Sequence, residues 1–159
     1  MTSPGWPPMS GDALDALEAR IDGWLADEAA TNEAIVAVER DEPERRRWFV
    51  RVRGEDKDVF TIWLTLGQRS FDYETYLLPA PADNHAAIYE YVLRQSRSLR
   101  GASFMIGDED ALYLHGEVPN GIVDAAELDR IIGTLYFATE RYFAALARLA
   151  FPHWRPANP

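Results

Sequence analysis

The stretch RWFVRVRGEDKDVFTIWLTLGQRSFDYETYLLPAP, residues 47–81, contains three runs in which apolar and polar residues alternate, joined by polar turns. Successive side chains of a β-strand point to opposite faces, so such alternation predicts strands with one buried face. In the run Val59–Leu66, one face carries Phe60, Ile62, Leu64 and Leu66. The other face carries Trp63 between two threonines, Thr61 and Thr65. A tryptophan on a polar face predicts a cover, which is a helix, a second subunit or a binding partner.

Outward from this stretch, similar patterns predict further strands and three helices. Strands are predicted at residues 35–39, 47–53, 59–66, 70–77, 102–106 and 111–117. Helices are predicted at 12–30, at 83–99 and from Asp124 over about 25 residues, because apolar residues recur there every three or four positions. The predicted order is α-β-β-β-β-α-β-β-α. Strands grouped between helices indicate an α+β fold, with helices packed on a mainly antiparallel sheet.

Residues that favour helix ends support these limits. The predicted N-caps are, in chain order, Ser10 or Asp12, Asp83, and Asp124. The apolar stripe of the second helix is formed by Ile88, Val92 and Leu99, and is widened by Tyr89 and Leu93. The third helix carries the longest stripe and is therefore the best defined element of the sequence.

The chain has 159 residues, no cysteine and a formal net charge of −10 at pH 7. This length suits one domain, which we place at residues 11–151, between a disordered arm at 1–10 and an irregular tail at 152–159. The lack of cysteine excludes disulfides and thiol catalysis. The negative charge argues against binding to nucleic acid or to anionic membranes. Because the sequence shows no signal peptide and no membrane-spanning run, the expected location is the cytoplasm.

No motif in the sequence predicts catalysis. A Gly-rich phosphate loop and a GxSxG elbow are absent, and the histidines lie in different elements without a nearby ligand. These histidines are His85, His115 and His153. The acidic segment GDED, residues 107–110, lacks the spaced ligands of a calcium loop and is interpreted as a hairpin turn. We therefore predict a protein that is not an enzyme and that binds no metal or cofactor.

Strand parity predicts one candidate binding face. The residues assigned to this partner-binding face are Phe49, Arg51, Arg53, Trp63, Tyr113 and His115. Arginine and aromatic residues are the usual energetic anchors of protein interfaces. An alternative is a ligand pocket between sheet and helices, near Arg69, Glu74, Tyr76 and Arg94. Asp72 and Glu74 share a strand face and are interpreted as an ion-paired strand edge rather than as an acid–base pair.

Several segments taken together resemble a known family. WFVRVRGE, DVFTIWLTLGQRSFDYETYLLPAPADN, YEYVLRQSRSL, MIGDEDALYLHGEVP and ELDRIIGTLYFATERYF are similar to the actinobacterial branch of the YbjN family. The resemblance covers residues 34–151 and implies the fold of the class I type III secretion chaperones. Members of the family are labelled sensory transduction regulators, and the resemblance implies no catalytic residue. Chaperones of that fold commonly dimerise and hold an extended segment of a client protein.

These observations lead to three functional hypotheses. The first is a chaperone or adaptor that binds a protein or peptide client through a sheet face, in the regulation of stress or signalling. The second is a small-molecule sensor or an unrecognised enzyme that uses the alternative pocket. The third is a structural homodimer whose interface is the sheet face or the second helix, which is compatible with the first. The lack of catalytic motifs favours the first hypothesis.

Overall fold

The computed structural model describes residues 5–153, which form three α-helices and one six-stranded sheet. The helices are α1 (Gly11–Thr31), α2 (His85–Ser96) and α3 (Ala125–Ala150). The strands are β1 (Ile35–Arg40), β2 (Arg47–Arg53), β3 (Val59–Leu66), β4 (Ser70–Leu78), β5 (Ser103–Ile106) and β6 (Leu112–Pro119). The order α-β-β-β-β-α-β-β-α confirms the predicted α+β fold. Residues 1–4 of the predicted arm and 154–159 of the predicted tail lie outside the described residues.

The sheet is antiparallel throughout, with the strand order β1-β2-β3-β4-β6-β5. Strands β1 to β4 form a meander of consecutive neighbours. The chain then leaves the sheet through α2 and returns as the hairpin β5–β6, whose second strand pairs with β4. The edge strands are therefore β1 and β5, while β4 lies in the interior of the sheet.

The helices pack on one face of the sheet, which we call the inner face. Its strand residues alternate as predicted, and Phe60, Ile62, Leu64 and Leu66 are each at most 5% exposed. Together with the buried residues of α1, α2 and α3 they form one continuous hydrophobic core. Full burial of a side chain such as Ile62 stabilises the fold by roughly 1.5–3 kcal/mol. The inner face is therefore a principal source of the stability of the protein.

The N-caps of α1 and α3 agree with the prediction. Ser10 Oγ accepts the N–H of Ala13 at 3.3 Å, and Asp124 Oδ1 accepts the N–H of Glu127 at 2.8 Å. Along the predicted stripe of α3, the buried residues are Leu128, Ile131, Ile132, Leu135, Thr139, Tyr142 and Leu146. Each cap satisfies a backbone donor that the first turn of a helix leaves free, so these residues fix where the two helices begin.

The start of α2 differs from the prediction. Asp83 is not the N-cap, because that position is held by Asn84 in the left-handed conformation, with φ 59°. Asn84 Nδ2 donates to the carbonyl oxygen of Leu149 at 2.8 Å, and the N–H of Ala82 donates to the carbonyl oxygen of Ala150 at 3.0 Å. These donors satisfy carbonyl groups that the end of α3 leaves free. The segment before α2 therefore serves as the C-terminal cap of α3.

The helix α2 is also shorter and less buried than predicted. It ends at Ser96, whereas the sequence pattern predicted Leu99. Ile88 and Val92 are buried as expected, but Leu93 is 74% exposed. The predicted stripe was too wide because α2 lies beside the edge strand β5, where only a narrow arc of the helix meets the core.

Residues 5–10 lie against the turn between β3 and β4, which differs from the disordered arm predicted there. The N–H of Met9 donates to the carbonyl oxygen of Gln68 at 2.9 Å. Arg69 Nη1 donates to the carbonyl oxygen of Trp6 at 2.6 Å. Met9 is also partly buried against the core. This contact depends on groups far apart in sequence, so composition alone did not reveal it.

Candidate functional site

The sheet face opposite the core, which we call the outer face, is covered by no helix among residues 5–153. Its residues are Ala37, Glu39, Arg47, Phe49, Arg51, Arg53, Val59, Thr61, Trp63, Thr65, Ser70, Asp72, Glu74, Tyr76, Tyr113, His115, Glu117, Pro119, Ser103 and Met105. The register aligns one of these from each strand, in a continuous row of Glu39, Phe49, Trp63, Glu74, His115 and Ser103. Cross-strand neighbours of this kind have Cβ atoms about 4.5–5.5 Å apart. A ligand on this face therefore contacts several strands at once.

Within residues 5–153, two aromatic pairs occupy the outer face. Phe49 and Trp63 are cross-strand partners on β2 and β3 and meet edge to face, with ring centroids 6.5 Å apart. Tyr76 and Tyr113 on β4 and β6 meet in the same way at 5.5 Å. Such pairs contribute about 0.5–1.5 kcal/mol beyond their burial. Because each ring is steadied by its partner while remaining partly exposed, the pairs present a preformed apolar surface.

Arginines of β2 border the first aromatic pair. Arg47 Nε donates to Thr65 Oγ1 at 3.1 Å. Arg51 Nε lies 3.7 Å from Glu39 Oε1, and both side chains are 52% exposed. Arg53 is exposed and has no ion-pair partner within the described part of the chain. Exposed ion pairs contribute little to stability, so the guanidinium groups of Arg51 and Arg53 are available to a ligand.

Two carboxylates of β4 lie on the other side of Trp63. Asp72 and Glu74 share the outer face, as their spacing predicted, but β4 pairs with β3 on one side and β6 on the other. The interpretation of this pair as a strand edge was therefore wrong. Asp72 Oδ1 accepts the O–H of Ser70 at 2.8 Å, whereas Glu74 makes no hydrogen bond or ion pair with any residue in 5–153. Glu74 is the cross-strand neighbour of Trp63 and His115, so it places negative charge beside the aromatic surface.

The structure brings the predicted partner-binding residues together. Phe49, Arg51, Arg53, Trp63, Tyr113 and His115 all belong to the outer face. Strand parity was sufficient to group the four residues of β2 and β3, because no register irregularity interrupts that pair of strands. Tyr113 and His115 join them because β6 pairs with β4. Their role in binding stays a prediction.

The four residues of the alternative pocket are not brought together. Glu74 and Tyr76 point away from the helices on the outer face. Arg94 Nη2 is paired with Glu90 Oε1 on the surface of α2 at 2.8 Å. Arg69 lies at the β3–β4 turn, beside residues 5–10. The predicted site between sheet and helices is therefore not assembled from these residues, because Glu74 and Tyr76 lie on the face that the helices leave free.

The environment of Lys57, the only lysine of the chain, was not predicted from the sequence. Lys57 lies in the turn between β2 and β3, and its Nζ donates to the carbonyl oxygens of Tyr76 and Leu77, the latter at 3.1 Å. The β4–β6 register shifts at this point, between Tyr76 and Leu78. Nζ also lies 5.2 Å from the ring centroid of Tyr76 and 5.4 Å from that of Phe143. Burial lowers the pKa of Lys57 to about 8. Its ammonium group links the β2–β3 turn to the end of β4 through the carbonyl oxygens of Tyr76 and Leu77.

A cavity of about 590 Å³ lies between residues 98–100 and one side of α3. Its lining includes Arg100, Arg130, Phe137 and Arg141. Arg130 Nη2 donates a hydrogen bond to Glu127 Oε1 at 2.5 Å. This bond raises the pKa of Arg130. Sequence reasoning missed this cavity because its residues come from separate elements whose contact has no local signature.

Within residues 5–153, no three His, Cys, Asp or Glu side chains are grouped closely enough to hold a metal ion. In the same part of the chain, no helix combines the length and the apolar composition needed to cross a membrane.

Comparison with known proteins identifies one family. The YbjN family, described as "Putative bacterial sensory transduction regulator", matches residues 19–148. An uncharacterized protein of Mycobacterium tuberculosis is 30% identical over 102 residues, which cover 64% of this chain and 56% of that protein. An uncharacterized protein of Mycobacterium leprae is 30% identical over 105 residues, 66% of this chain and 57% of that protein. The chain thus matches little more than half the length of these relatives.

Two solved structures share the fold. A chain of the heterodimeric complex ExoU–SpcU from the type III secretion system of Pseudomonas aeruginosa has a TM-score of 0.54 and 19% identity, covering 83% of this chain and 98% of that chain. A chain of the HopA1–SchA chaperone–effector complex has a TM-score of 0.56 and 11% identity, and the match covers 82% of this chain and 98% of that chain. At these identities the likeness concerns the fold, and it confirms the expected resemblance to type III secretion chaperones.

Proposed function

The chain belongs to the YbjN family, and from that premise we propose that it is a non-enzymatic chaperone-like or adaptor protein. It binds a segment of a protein partner through the outer face. The observation that carries this proposal is an uncovered sheet face with two edge-to-face aromatic pairs bordered by available charges. Partly exposed aromatic side chains beside arginine are typical of protein interfaces and of their energetic centres.

The fold supports the proposal by analogy. One of the solved structures described above is a chaperone–effector complex, and this likeness of fold supports, as an analogy, a function in binding another protein. The predicted location in the cytoplasm and the predicted role in regulating stress or signalling stay predictions. The chemistry of the outer face describes the proposed partner as a protein segment with an apolar surface.

Affinity capture with mass spectrometry tests this function. Wild-type protein, Trp63→Ala and Phe137→Ala are immobilised and exposed to a lysate of the source organism. Phe137 is the matched control, since it is an aromatic residue 62% exposed on α3, away from the outer face. A protein retained by wild type and Phe137→Ala but lost by Trp63→Ala supports the proposal. Equal capture by all three folded proteins, or no capture, contradicts it.

We further propose that the chain forms a homodimer through β5. The two edge strands differ, because β1 carries a register irregularity and the charges of Glu39 and Arg40, whereas β5 has the uncharged sequence SFMI. Charges and bulges protect an edge from pairing with another strand, and β5 has neither. Beside it, Leu93 and Ile106 are 74% and 48% exposed and line an apolar groove.

The charges flanking β5 suit pairing with a second copy. Arg97 and Arg100 precede the strand, and Asp108, Glu109 and Asp110 follow it. When two copies of a strand pair antiparallel about a two-fold axis, the start of one lies beside the end of the other. The basic segment of each copy then faces the acidic segment of its partner, which favours this arrangement electrostatically.

Light scattering during gel filtration tests the dimer. Ile106→Lys places a charge on the β5 edge, and Val36→Lys places one on the β1 edge at a residue of similar exposure, 50%. A dimeric wild type, a dimeric Val36→Lys and a monomeric Ile106→Lys are expected. A monomeric wild type contradicts the dimer, and a dimer unaffected by Ile106→Lys contradicts its placement at β5.

A further inference from the structure

On the outer face, the two strands that flank β3 carry charges of opposite sign. On β2 its charged residues are Arg47, Arg51 and Arg53. On β4 and β6 they are Asp72, Glu74 and Glu117. Between them, β3 contributes Trp63 and the uncharged Thr61 and Thr65. A basic column and an acidic column therefore border an uncharged, partly aromatic one.

These charges are largely free to meet a ligand. Within residues 5–153, Arg53, Glu74 and Glu117 have no ion-pair partner. Arg51 makes one exposed contact with Glu39 at 3.7 Å, which a closer carboxylate can replace. Arg47 is more committed, because it also lies 3.9 Å from Asp41. The free charges thus include both signs, and Arg53 and Glu74 lie on opposite sides of β3.

The spacing of the two columns indicates the shape of the ligand. Neighbouring strands lie about 4.8 Å apart, so β2 and β4 are separated by about 10 Å. An α-helix with its side chains is about 10–12 Å wide. A helix lying along β3 spans the distance between the columns and can present a central apolar stripe with a charged flank on each side. The side chains of an extended strand point to only two opposite sides, so a strand cannot present these three surfaces at once. The rings of Phe49 and Trp63 lie beneath the centre of such a helix.

We infer that the segment bound on the outer face is an amphipathic helix with carboxylates along one flank and Lys or Arg along the other. Its apolar stripe packs on Phe49 and Trp63, its acidic flank faces Arg51 and Arg53, and its basic flank faces the β4 side. Reversing the helix would place like charges together on both flanks, which is unfavourable. The outer face therefore selects the direction of the helix as well as its composition. This inference rests on the proposed function and specifies its partner.

Selection from a random peptide library tests the inference. Phage-displayed peptides of about 16 residues, enough for four helical turns, are selected on the full-length protein and counter-screened on Trp63→Ala. A recovered peptide is synthesised together with its charge-exchanged counterpart, in which acidic and basic residues change places. Binding is measured by fluorescence anisotropy, and circular dichroism reports whether the bound peptide is helical.

The expected peptide is helical when bound and requires Trp63. Its charge-exchanged counterpart is expected to bind wild type at least about tenfold more weakly. The counterpart regains affinity for the variant Arg51→Glu, Arg53→Glu, Glu74→Lys, Glu117→Lys. If that variant does not fold, Arg53→Glu alone serves, since Arg53 is exposed; it is expected to weaken the original peptide and to strengthen its counterpart.

The possible failures separate the two proposals. Peptides that require Trp63 but bind equally well after charge exchange, or bind in an extended form, overturn this inference and leave the proposed function supported. If no recovered peptide requires Trp63, the outer face is not a binding site, and the proposed function fails together with the inference.

Discussion

The inner and outer faces belong to the same strands, yet their side chains differ in how deeply they are buried. On β3, Leu64 is fully buried, whereas its neighbour Trp63 is only partly buried and contacts one ring, that of Phe49. The inner residues are enclosed by buried side chains of α1, α2 and α3 and by their neighbours in the sheet. The comparison teaches that adjacent positions of one strand contribute unequally to stability, so a substitution on the outer face can test the proposed binding role with a comparatively small loss of stability.

The largest expected effect is a loss of stability, and it comes from a substitution on the inner face that leaves the outer face unchanged. Leu64→Ala removes a fully buried side chain and is expected to lower the free energy of unfolding by about 2–5 kcal/mol. Trp63→Ala loses its contact with Phe49, which is worth about 0.5–1.5 kcal/mol beyond burial, and the partial burial of its own side chain. We expect a smaller loss than for Leu64→Ala. Urea denaturation of both variants measures the difference. A loss for Trp63→Ala as large as that for Leu64→Ala would show that the outer face is also structural.

A smaller effect is expected where α1 closes over the inner face. Trp48 is 1% exposed, and its Nε1 donates to Asp22 Oδ1 at 2.7 Å. Asp22→Ala leaves this buried N–H without its acceptor, so a loss of about 1–3 kcal/mol is expected. Asp27→Ala on the same helix is the control, because the Asp27 carboxylate makes no hydrogen bond with any residue in 5–153. Equal urea midpoints for the two variants would contradict a structural role for the Trp48–Asp22 bond.

The smallest effect concerns the contact of α1 with α3, and it depends on pH. Burial, and secondarily the neighbouring carboxylate of Asp129, raises the pKa of Glu28 above its usual value of 4.5. Folding therefore favours the protonated form, and this stabilisation is complete below pH 4.5 and lost as the pH rises through the raised pKa. Glu28→Gln is expected to be more stable than wild type at pH 7 and equal to it at pH 4.

The control for the pH prediction is Glu33→Gln, which removes a charge from the same acidic chain at an exposed position. Denaturant unfolding of the three proteins at both pH values gives the comparison. A stability gain for Glu28→Gln that is the same at pH 7 and pH 4, or is matched by Glu33→Gln, would contradict a raised pKa of Glu28 in the folded protein.

The fold was largely predictable because its elements have strong local periods. The alternation in β2 and β3 predicted both faces of the sheet, including the grouping of Phe49 with Trp63. The errors arose where distant groups decide the local structure. Asn84 holds the N-cap position of α2, and the same segment bonds to the end of α3. Likewise, Leu93 is exposed because α2 happens to lie at an edge of the sheet.

The candidate site was predictable only where it follows strand parity. Tyr113 belongs to the outer face with Trp63, although the two residues lie on strands that are not neighbours. Glu117 joins the acidic side of the outer face only because β6 pairs with β4, and no local pattern reveals that pairing. The contact of Lys57 with the carbonyls of Tyr76 and Leu77 is equally non-local. Strand order, rather than strand identity, is thus the information that the sequence pattern lacked.

That strand order also affects how the chain assembles during synthesis. Strands β1 to β4 are consecutive and can form hairpins early, but β6 reaches β4 only after α2 and β5 have been made. Pairings between distant segments form slowly, and α3, which covers the inner face, leaves the ribosome last of the described elements. Until then the emerging meander exposes an apolar surface, the kind of state in which nascent chains aggregate. A protein proposed to cover apolar segments of other proteins therefore exposes its own inner face on the ribosome until α3 has been made.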